Sequence, residues 1–332
     1  MNRYILAIIF ASSLYRTVAC DVCGCFMGIV PYDNQSSISL MHRYRVFNGY
    51  RAYEQHGHFF PSGAYKTMHG EHGGDSLVSK KHLSSDYESY KVYELRLKYF
   101  IHERIELNAF IGFNHNKAKE DTVKYNHFGL NDPTFFIGYH ILRPQLEKHW
   151  KHRLIAGAGI KIPSGNYYAK DQFDRRLPFL LQPGTGSVDG FVYSSYMIGY
   201  KKFGFSTTAN FKMNGTNFYG ERLGNSFTDF ASLFYKMNFK NWTVVPAIHS
   251  YYEFTKGLYK KEKLQAGTDM NEWMLGFGCD LFYKNLGLQF SMQKTLVQTL
   301  KQHELSSVGR FTVALTYNFN QRKYLLNRRK ES

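Results

Sequence analysis

Apolar and polar residues alternate along most of this chain with a period of two. One run, at 154–162, places leucine, alanine and isoleucine at every second position, and the run at 311–319 does the same with aromatic and aliphatic residues. This period is typical of β-strands that have one apolar and one polar face. The pattern predicts an all-β protein with twelve strands, near 37–48, 89–101, 105–116, 132–142, 152–162, 190–200, 203–214, 226–236, 241–254, 271–283, 286–296 and 307–319.

The connections between these strands alternate in length. The long ones are 49–88, 117–131, 163–189, 215–225, 255–270 and 297–306, and the short ones are 102–104, 143–151, 201–202, 237–240 and 284–285. Outer-membrane barrels have this arrangement, because short periplasmic turns and long extracellular loops join an even number of strands. The sequence therefore predicts a transmembrane antiparallel up-and-down β-barrel of about twelve strands. A secreted β-sandwich or propeller is the alternative.

The first residues have the features of a secretory signal peptide. Asn2 and Arg3 precede an apolar stretch at 4–14, and small residues at 17–19 form a cleavage site before Cys20. No other stretch approaches the ~18 consecutive apolar residues of a spanning helix, so only a barrel would keep the exported chain in a membrane. We expect a signal peptide at 1–19, a cysteine-rich segment at 20–36, a barrel at 37–320 and a basic periplasmic tail at 321–332. The expected location is the outer membrane of a Gram-negative bacterium.

Composition and charge agree with an exported barrel. The 332 residues include 26 tyrosines and 28 phenylalanines, yet the mean hydropathy is only −0.41, as expected for aromatic girdles around a polar interior. The formal charge of +16 usually indicates nucleic acid, which an exported barrel seldom meets. We expect outer-membrane lipids and a small-molecule solute as partners, no nucleic acid, and leave any periplasmic partner open. The basic tail either contacts anionic lipid or cell-wall groups or is simply solvated.

The alternation also assigns side chains to the two faces of the sheet. The predicted outward sets include Phe203, Phe205, Phe211 and Met213, and Trp273, Leu275, Phe277, Leu281 and Tyr283. The opposite, lumen-facing set carries charges of both signs, with more basic than acidic residues. It includes Arg43, Arg45, Arg96, Lys98, His140, Arg153, Lys161, His249, Glu253, Glu272, Asp280 and Arg310. Such charges face inward because one on the lipid face costs about 2–4 kcal/mol at mid-bilayer. They line a hydrated passage or form an ion-pair network that fills the lumen; a twelve-stranded barrel is wider than the eight-stranded kind that side chains can fill, which favours a passage.

Three of the four cysteines cluster at the predicted mature N-terminus, as Cys20, Cys23 and Cys25. Cys20 follows Val18-Ala19, which suits lipid attachment. The closely spaced thiolates also suit a soft metal ion, copper or zinc. An oxidising periplasm would alternatively close a disulfide there. The fourth cysteine, Cys279, is expected to be a small apolar filler on an outward face.

The first long loop contains histidines at spacings that imidazole chelation can use. They are His56, His58, His69 and His72. A solvated loop without a metal is the alternative reading of the same residues. This loop is also long enough to constrict the lumen or cover its mouth.

Catalysis is not expected from the sequence. The chain contains no nucleophile elbow, phosphate-binding loop or zinc-protease motif. The nearest candidate is His249 with Ser250 and Glu253, but the alternation puts Ser250 on the other face. We therefore expect a protein that is not an enzyme.

Four segments resemble motifs of a known family. They are Phe128-Gly-Leu-Asn-Asp-Pro133, Gly159-Ile-Lys-Ile-Pro-Ser-Gly165, Leu181-Gln-Pro-Gly-Thr-Gly-Ser187 with Asp189, and the closing Tyr317-Asn-Phe319. Together they resemble the outer-membrane "transporter" barrels related to phenol meta-degradation pathway proteins, and the N-terminal Cys-Asp-Val-Cys-Gly-Cys is similar to a Bacteroidota-type subgroup. The resemblance implies a twelve-stranded, channel-like barrel with no catalytic residues to transfer.

Two functions remain from the sequence. The first is a channel or transporter-like barrel for small solutes. The second is a metal-handling protein that uses the cysteine cluster, with the barrel as its anchor.

Overall fold

The computed structural model describes residues 35–50, 86–120, 123–144, 150–265, 268–299 and 305–319. The strands are β1 Ser36–Tyr50, β2 Tyr87–His102, β3 Ile105–Glu120, β4 Val123–Leu130, β5 Thr134–Leu142, β6 Trp150–Lys161, β7 Asp189–Tyr200, β8 Phe203–Met213, β9 Glu221–Leu223, β10 Ser226–Tyr235, β11 Met237–Phe239, β12 Trp242–Thr255, β13 Leu258–Lys260, β14 Lys263–Leu264, β15 Met270–Tyr283, β16 Leu286–Thr299 and β17 Leu305–Phe319. One short 3-10 helix, Phe179–Leu181, lies between β6 and β7. No helix among the described residues is long and apolar enough to cross a membrane.

Within the described residues, twelve strands close into one antiparallel barrel. The order around the ring is β1, β2, β3, β5, β6, β7, β8, β10, β12, β15, β16 and β17, with β17 paired back to β1. Closure gives every strand two hydrogen-bonded neighbours, so no sheet edge is left to meet lipid. The predicted fold class is confirmed.

Burial alternates along the strands and defines an inner and an outer wall. In β12 every second residue from Thr243 to Thr255 is buried. The buried residues of neighbouring strands lie opposite one another, so they form one continuous inner face. Glu253, for example, pairs with Thr228 on one side and Glu272 on the other. Apolar side chains dominate the outer wall, where Phe203 is 62% and Phe277 59% exposed. The predicted outward sets lie on this outer wall.

The predicted connection at 117–131 is largely strand, contrary to expectation. β3 continues to Glu120 and pairs with β4, from Glu120 opposite Val123 down to Phe113 opposite Leu130. β4 and β5 are successive parts of one strand, because both pair with β3, and 131–133 interrupts them. This hairpin has polar residues on both faces, so its sequence does not show the alternation of apolar and polar residues that predicts a strand. β11, inside the predicted turn 237–240, was missed because it is only three residues long.

The long connections at the same end carry further structure. β9, β13 and β14 form a small separate sheet, and the segment 163–188, here called the cap loop, contains the short helix. Leu181 of the cap loop belongs to a buried cluster with Ala118 and Tyr125 of the β3–β4 hairpin. Phe179 packs with Leu223 and Leu258 on the other side. The cap loop therefore lies across this end of the barrel.

Several predicted features lie outside the described residues. They are the signal peptide at 1–19, most of the cysteine-rich segment, the first long loop, the basic tail at 321–332, and with them Cys20, Cys23, Cys25, His56, His58, His69 and His72. The signal peptide, the possible lipid attachment and the metal or disulfide chemistry expected of these residues therefore remain predictions.

One carboxylate lies on the outer wall. Asp229 pairs with Ala209 and Tyr252 on the face opposite to buried Thr228, and it accepts a hydrogen bond of 2.6 Å from the Thr207 hydroxyl. A charge facing lipid destabilises a barrel, less for carboxylates than for cations.

We expect Asp229→Asn to stabilise the barrel in lipid vesicles by about 1 kcal/mol, because it removes the charge and keeps an acceptor for Thr207. Urea unfolding followed by electrophoretic mobility measures the change. Asp174→Asn, on an exposed loop with the side chain 83% accessible, is the matched control and should have no effect. A destabilised Asp229→Asn protein would contradict this account of the outer wall.

Candidate functional site: the barrel lumen

The candidate site is the inner wall of the barrel. The register places all twelve predicted lumen residues on this wall. Nine of them are buried: Arg43, Arg45, His140, Lys161, His249, Glu253, Glu272, Asp280 and Arg310. Arg96, Lys98 and Arg153 are partly exposed. Most of these polar side chains are therefore buried within the barrel.

Arg45 is at the centre of the first charge cluster. Its guanidinium lies 3.1 Å from an Oε2 of Glu253 and also contacts Glu272, and all three side chains are fully buried. In ring order β1 is separated from β15 and β12 by β17 and β16, so these ion pairs cross the lumen rather than joining neighbouring strands. The Thr295 hydroxyl donates to the second oxygen of Glu272 at 2.5 Å.

A second guanidinium lies beside the first. Arg310 is the cross-strand partner of Arg45 in the β1–β17 register, an arrangement that is unfavourable for two like charges. Its Nε donates to the Gln293 side-chain oxygen at 2.8 Å, and its Cζ is 3.8 Å from the centre of the Tyr251 ring. The carboxylates opposite Arg45 and this aromatic face offset the repulsion.

Glu106 is at the centre of the second charge cluster, near the end of the barrel that has the short turns. Its Oε2 lies 3.0 Å from Nε2 of His140 and 3.7 Å from Nζ of Lys98. The amide of Asn108 donates to the other carboxylate oxygen at 3.2 Å. The neighbouring strands contribute aromatic side chains, including Phe136 and Tyr193, whose rings meet edge to face at 5.6 Å.

A third cluster, here called the latch, joins the barrel wall to the cap loop. Nζ of Lys161 lies 2.6 Å from Asp132 and 2.9 Å from Asp189, and Nζ of Lys212 lies 3.0 Å from Asp189. Lys161 also contacts the Thr185 hydroxyl. These charged side chains are at most 4% exposed.

Backbone groups of the cap loop complete the latch. Asp132 accepts from the amides of Gly165 at 2.9 Å and Thr185 at 2.8 Å. A Cβ at Gly165 or at Gly184 would lie 2.8 Å or 2.7 Å from Oδ1 of Asp132, closer than real Cβ contacts come. Gly165 and Gly184 are thus required because both ends of the loop approach one carboxylate.

The sequence reasoning did not select Asp132, Asp189 or Thr185 as site residues. Asp189 and Thr185 were assigned to a long connection, and Asp132 is at the end of a strand. The segments 128–133 and 181–189, singled out in the sequence, were the available signal. Asp132 and Asp189 reduce the predicted basic excess of the lumen, and Arg310 has the neutral partners Gln293 and Tyr251.

His249 has a different partner from the one considered in the sequence. Its Nδ1 lies 2.7 Å from the hydroxyl of Ser232, which is 1% exposed. Ser250 is on the outer wall, where its hydroxyl accepts from the Trp273 indole at 2.8 Å.

Metal ligands do not gather in the part of the chain that the structure describes. It contains no group of three or more His, Cys, Asp or Glu side chains arranged to hold a metal ion. Cys279, a free cysteine, is on the outer wall. The cysteine cluster and the loop histidines lie outside the described residues.

The fold of this protein is similar to that of a solved outer-membrane channel. No family model matches the chain, and no curated protein does. Among solved structures, an outer-membrane channel from Pseudomonas putida F1 matches with a TM-score of 0.59 and 12% identity, over 88% of this chain and all of the other. The fold is that of an outer-membrane barrel. With its apolar outer wall, it places the protein in the outer membrane of a Gram-negative bacterium.

Two autotransporter domains are less similar. The β-domain of the Bordetella autotransporter BrkA has a TM-score of 0.46 at 9% identity, over 86% of this chain and all of the other. The transport unit of AIDA-I from Escherichia coli has a TM-score of 0.43 at 8% identity, over 95% of this chain and 97% of the other. Neither likeness carries an argument about function.

Lys161→Met should release the cap loop, because it leaves two buried carboxylates without their shared cation. Breaking a buried ion pair in this way costs about 3 kcal/mol or more. We expect faster trypsin cleavage at Arg175 and Arg176 of the cap loop. The matched control is Lys170→Met, which removes an exposed pair with Asp174 and should leave cleavage of the remaining sites unchanged. Equal cleavage rates in Lys161→Met and the unmodified protein would show that the latch does not hold the loop.

Proposed function

We propose that this protein is a channel for small polar or hydrophobic solutes, of the kind found in the transporter-barrel family that its motifs resemble. One observation carries the proposal: the inner wall is polar along whole strands. On β16, for example, the buried side chains of the inner face are all polar: Gln289, Ser291, Gln293, Thr295 and Gln298. A barrel that served only as an anchor would need fewer strands, since eight already give an interior that side chains fill.

The described conformation supports a gated channel. The Arg45 cluster and the latch occupy the lumen with paired charges, and the cap loop lies across the extracellular end. Fixed pairs of opposite charge give no strong preference for anions or cations. Passage then requires that the cap loop moves away from the β3–β4 hairpin.

Two side chains hold the cap loop to this hairpin from the inner wall. The amide of Asn114 donates to the carbonyl of Pro183 at 2.8 Å, and that of Asn116 to the carbonyl of Leu181 at 3.2 Å. Neither bond is part of the strand ladder, so both can break without opening the barrel. These contacts are therefore suitable points at which to test gating.

The double variant Asn114→Ala with Asn116→Ala should raise potassium chloride conductance in planar bilayers and arabinose uptake in liposomes. We expect about a thirtyfold rise in the ratio of open to closed protein, because two hydrogen bonds worth roughly 1 kcal/mol each are lost.

The matched control is Asn126→Ala in the same hairpin, whose side chain bonds the exposed His115 at 2.8 Å and does not touch the cap loop. It should conduct like the unmodified protein. If neither the unmodified protein nor the double variant passes ions or arabinose, the channel proposal fails.

A further inference from the structure

The end of the barrel with short turns is strongly basic. Its described cations are Arg104, Arg143, Lys151, Lys201, Lys202, Lys236, Lys240 and Lys284. Of the described residues in these turns, Glu103 alone is acidic, and it pairs with Arg143 at 2.8 Å. That hydrogen bond holds the pKa of Glu103 below its ordinary value, so this carboxylate offsets the charge of Arg143. By the loop-length rule this end faces the periplasm.

Three of these lysines have a backbone conformation that lysine rarely adopts. Lys201, Lys240 and Lys284 have φ angles of 53°, 38° and 51°, in the left-handed region. Glycine, asparagine and aspartate are the ordinary choices in such hairpin turns, and other residues there cost about 1–2 kcal/mol. The same cation recurs at this position in three separate turns.

Aromatic rings fix the depth of these lysines relative to the membrane. The ring centres of Trp150 and Tyr200 are 4.6 Å apart, and those of Trp242 and Tyr283 are 4.7 Å apart. Rings of this type mark the boundary between hydrocarbon and headgroups. Nζ of Lys284 lies 5.3 Å from the centre of the Tyr283 ring, and the same distance separates Lys201 from Tyr200. The ammonium groups of Lys201 and Lys284 therefore lie at the level of lipid phosphates, and Lys240 is two residues from Trp242 in the chain.

We propose that Lys201, Lys240 and Lys284, here called the basic rim, bind the anionic headgroups of phospholipids in the periplasmic leaflet. The charge complementarity is direct, since an ammonium near an anionic surface gains about 1 kcal/mol. The three turns follow β7, β11 and β15 and join six consecutive strands of the ring, so the cations form an arc over half of the circumference beside the aromatic boundary. An acidic protein would be better matched by a compact patch. The proposal depends on the barrel and not on solute passage.

The test removes the charges and keeps the turns. Lys201→Asn, Lys240→Asn and Lys284→Asn are combined, because asparagine tolerates a positive φ. The full chain is placed in vesicles of phosphatidylcholine containing phosphatidylglycerol, and spin-labelled forms of each lipid report which is held at the protein surface. The unmodified protein should prefer phosphatidylglycerol, and the triple variant should lose most of this preference, about fivefold per lysine at low salt.

The control makes the same charge change at the other end. Lys260→Asn, Lys261→Asn and Lys263→Asn lie on the β13–β14 hairpin, where Lys261 also has a positive φ of 49°, and should keep the preference. If the rim variant, with its barrel intact by electrophoretic mobility, retains the preference, the lipid proposal is wrong and the rim serves another acidic partner. Equal losses in both triple variants would also overturn it, because the effect would then follow net charge alone.

Discussion

The pairing of β1 with β17 is the constraint on which the rest of the structure depends. It joins the first and last described strands in an antiparallel register from Ser36 opposite Phe319 to Tyr50 opposite Leu305. In hydrocarbon no water is present to satisfy an open edge, and each unpaired backbone group costs several kcal/mol. Closure therefore decides which face is inside. Once it forms, every second side chain is committed to a confined space.

That confinement explains the chemistry of the lumen. A charge inside the barrel cannot reach bulk water freely, so it must find a partner across the interior, and Arg45 does so with two carboxylates on strands three and four positions away. The latch follows the same logic at the extracellular end. There Asp132, which pairs with the buried Lys161, also accepts from the backbone amides of Gly165 and Thr185, so the same carboxylate orders the cap loop.

Much of the fold could be predicted from sequence because the bilayer imposes a strict period on the strands it surrounds. The predicted start of β7 at 190, for example, is one residue from the observed Asp189. The period fails for β4, where no lipid requires an apolar face. Alternation also assigns residues such as Glu253 to a face. It could not pair Glu253 with Arg45, because 208 residues separate them and only the ring order brings β1 near β12.

The latch also bears on how this chain can change over evolutionary time. Asp132, Lys161 and Asp189 come from three different segments but meet at one ammonium group. Loss of any one leaves a buried charge uncompensated, so a lineage cannot replace them one at a time without a destabilised intermediate. These positions are expected to be inherited together or lost together, along with the glycines that let the loop reach them.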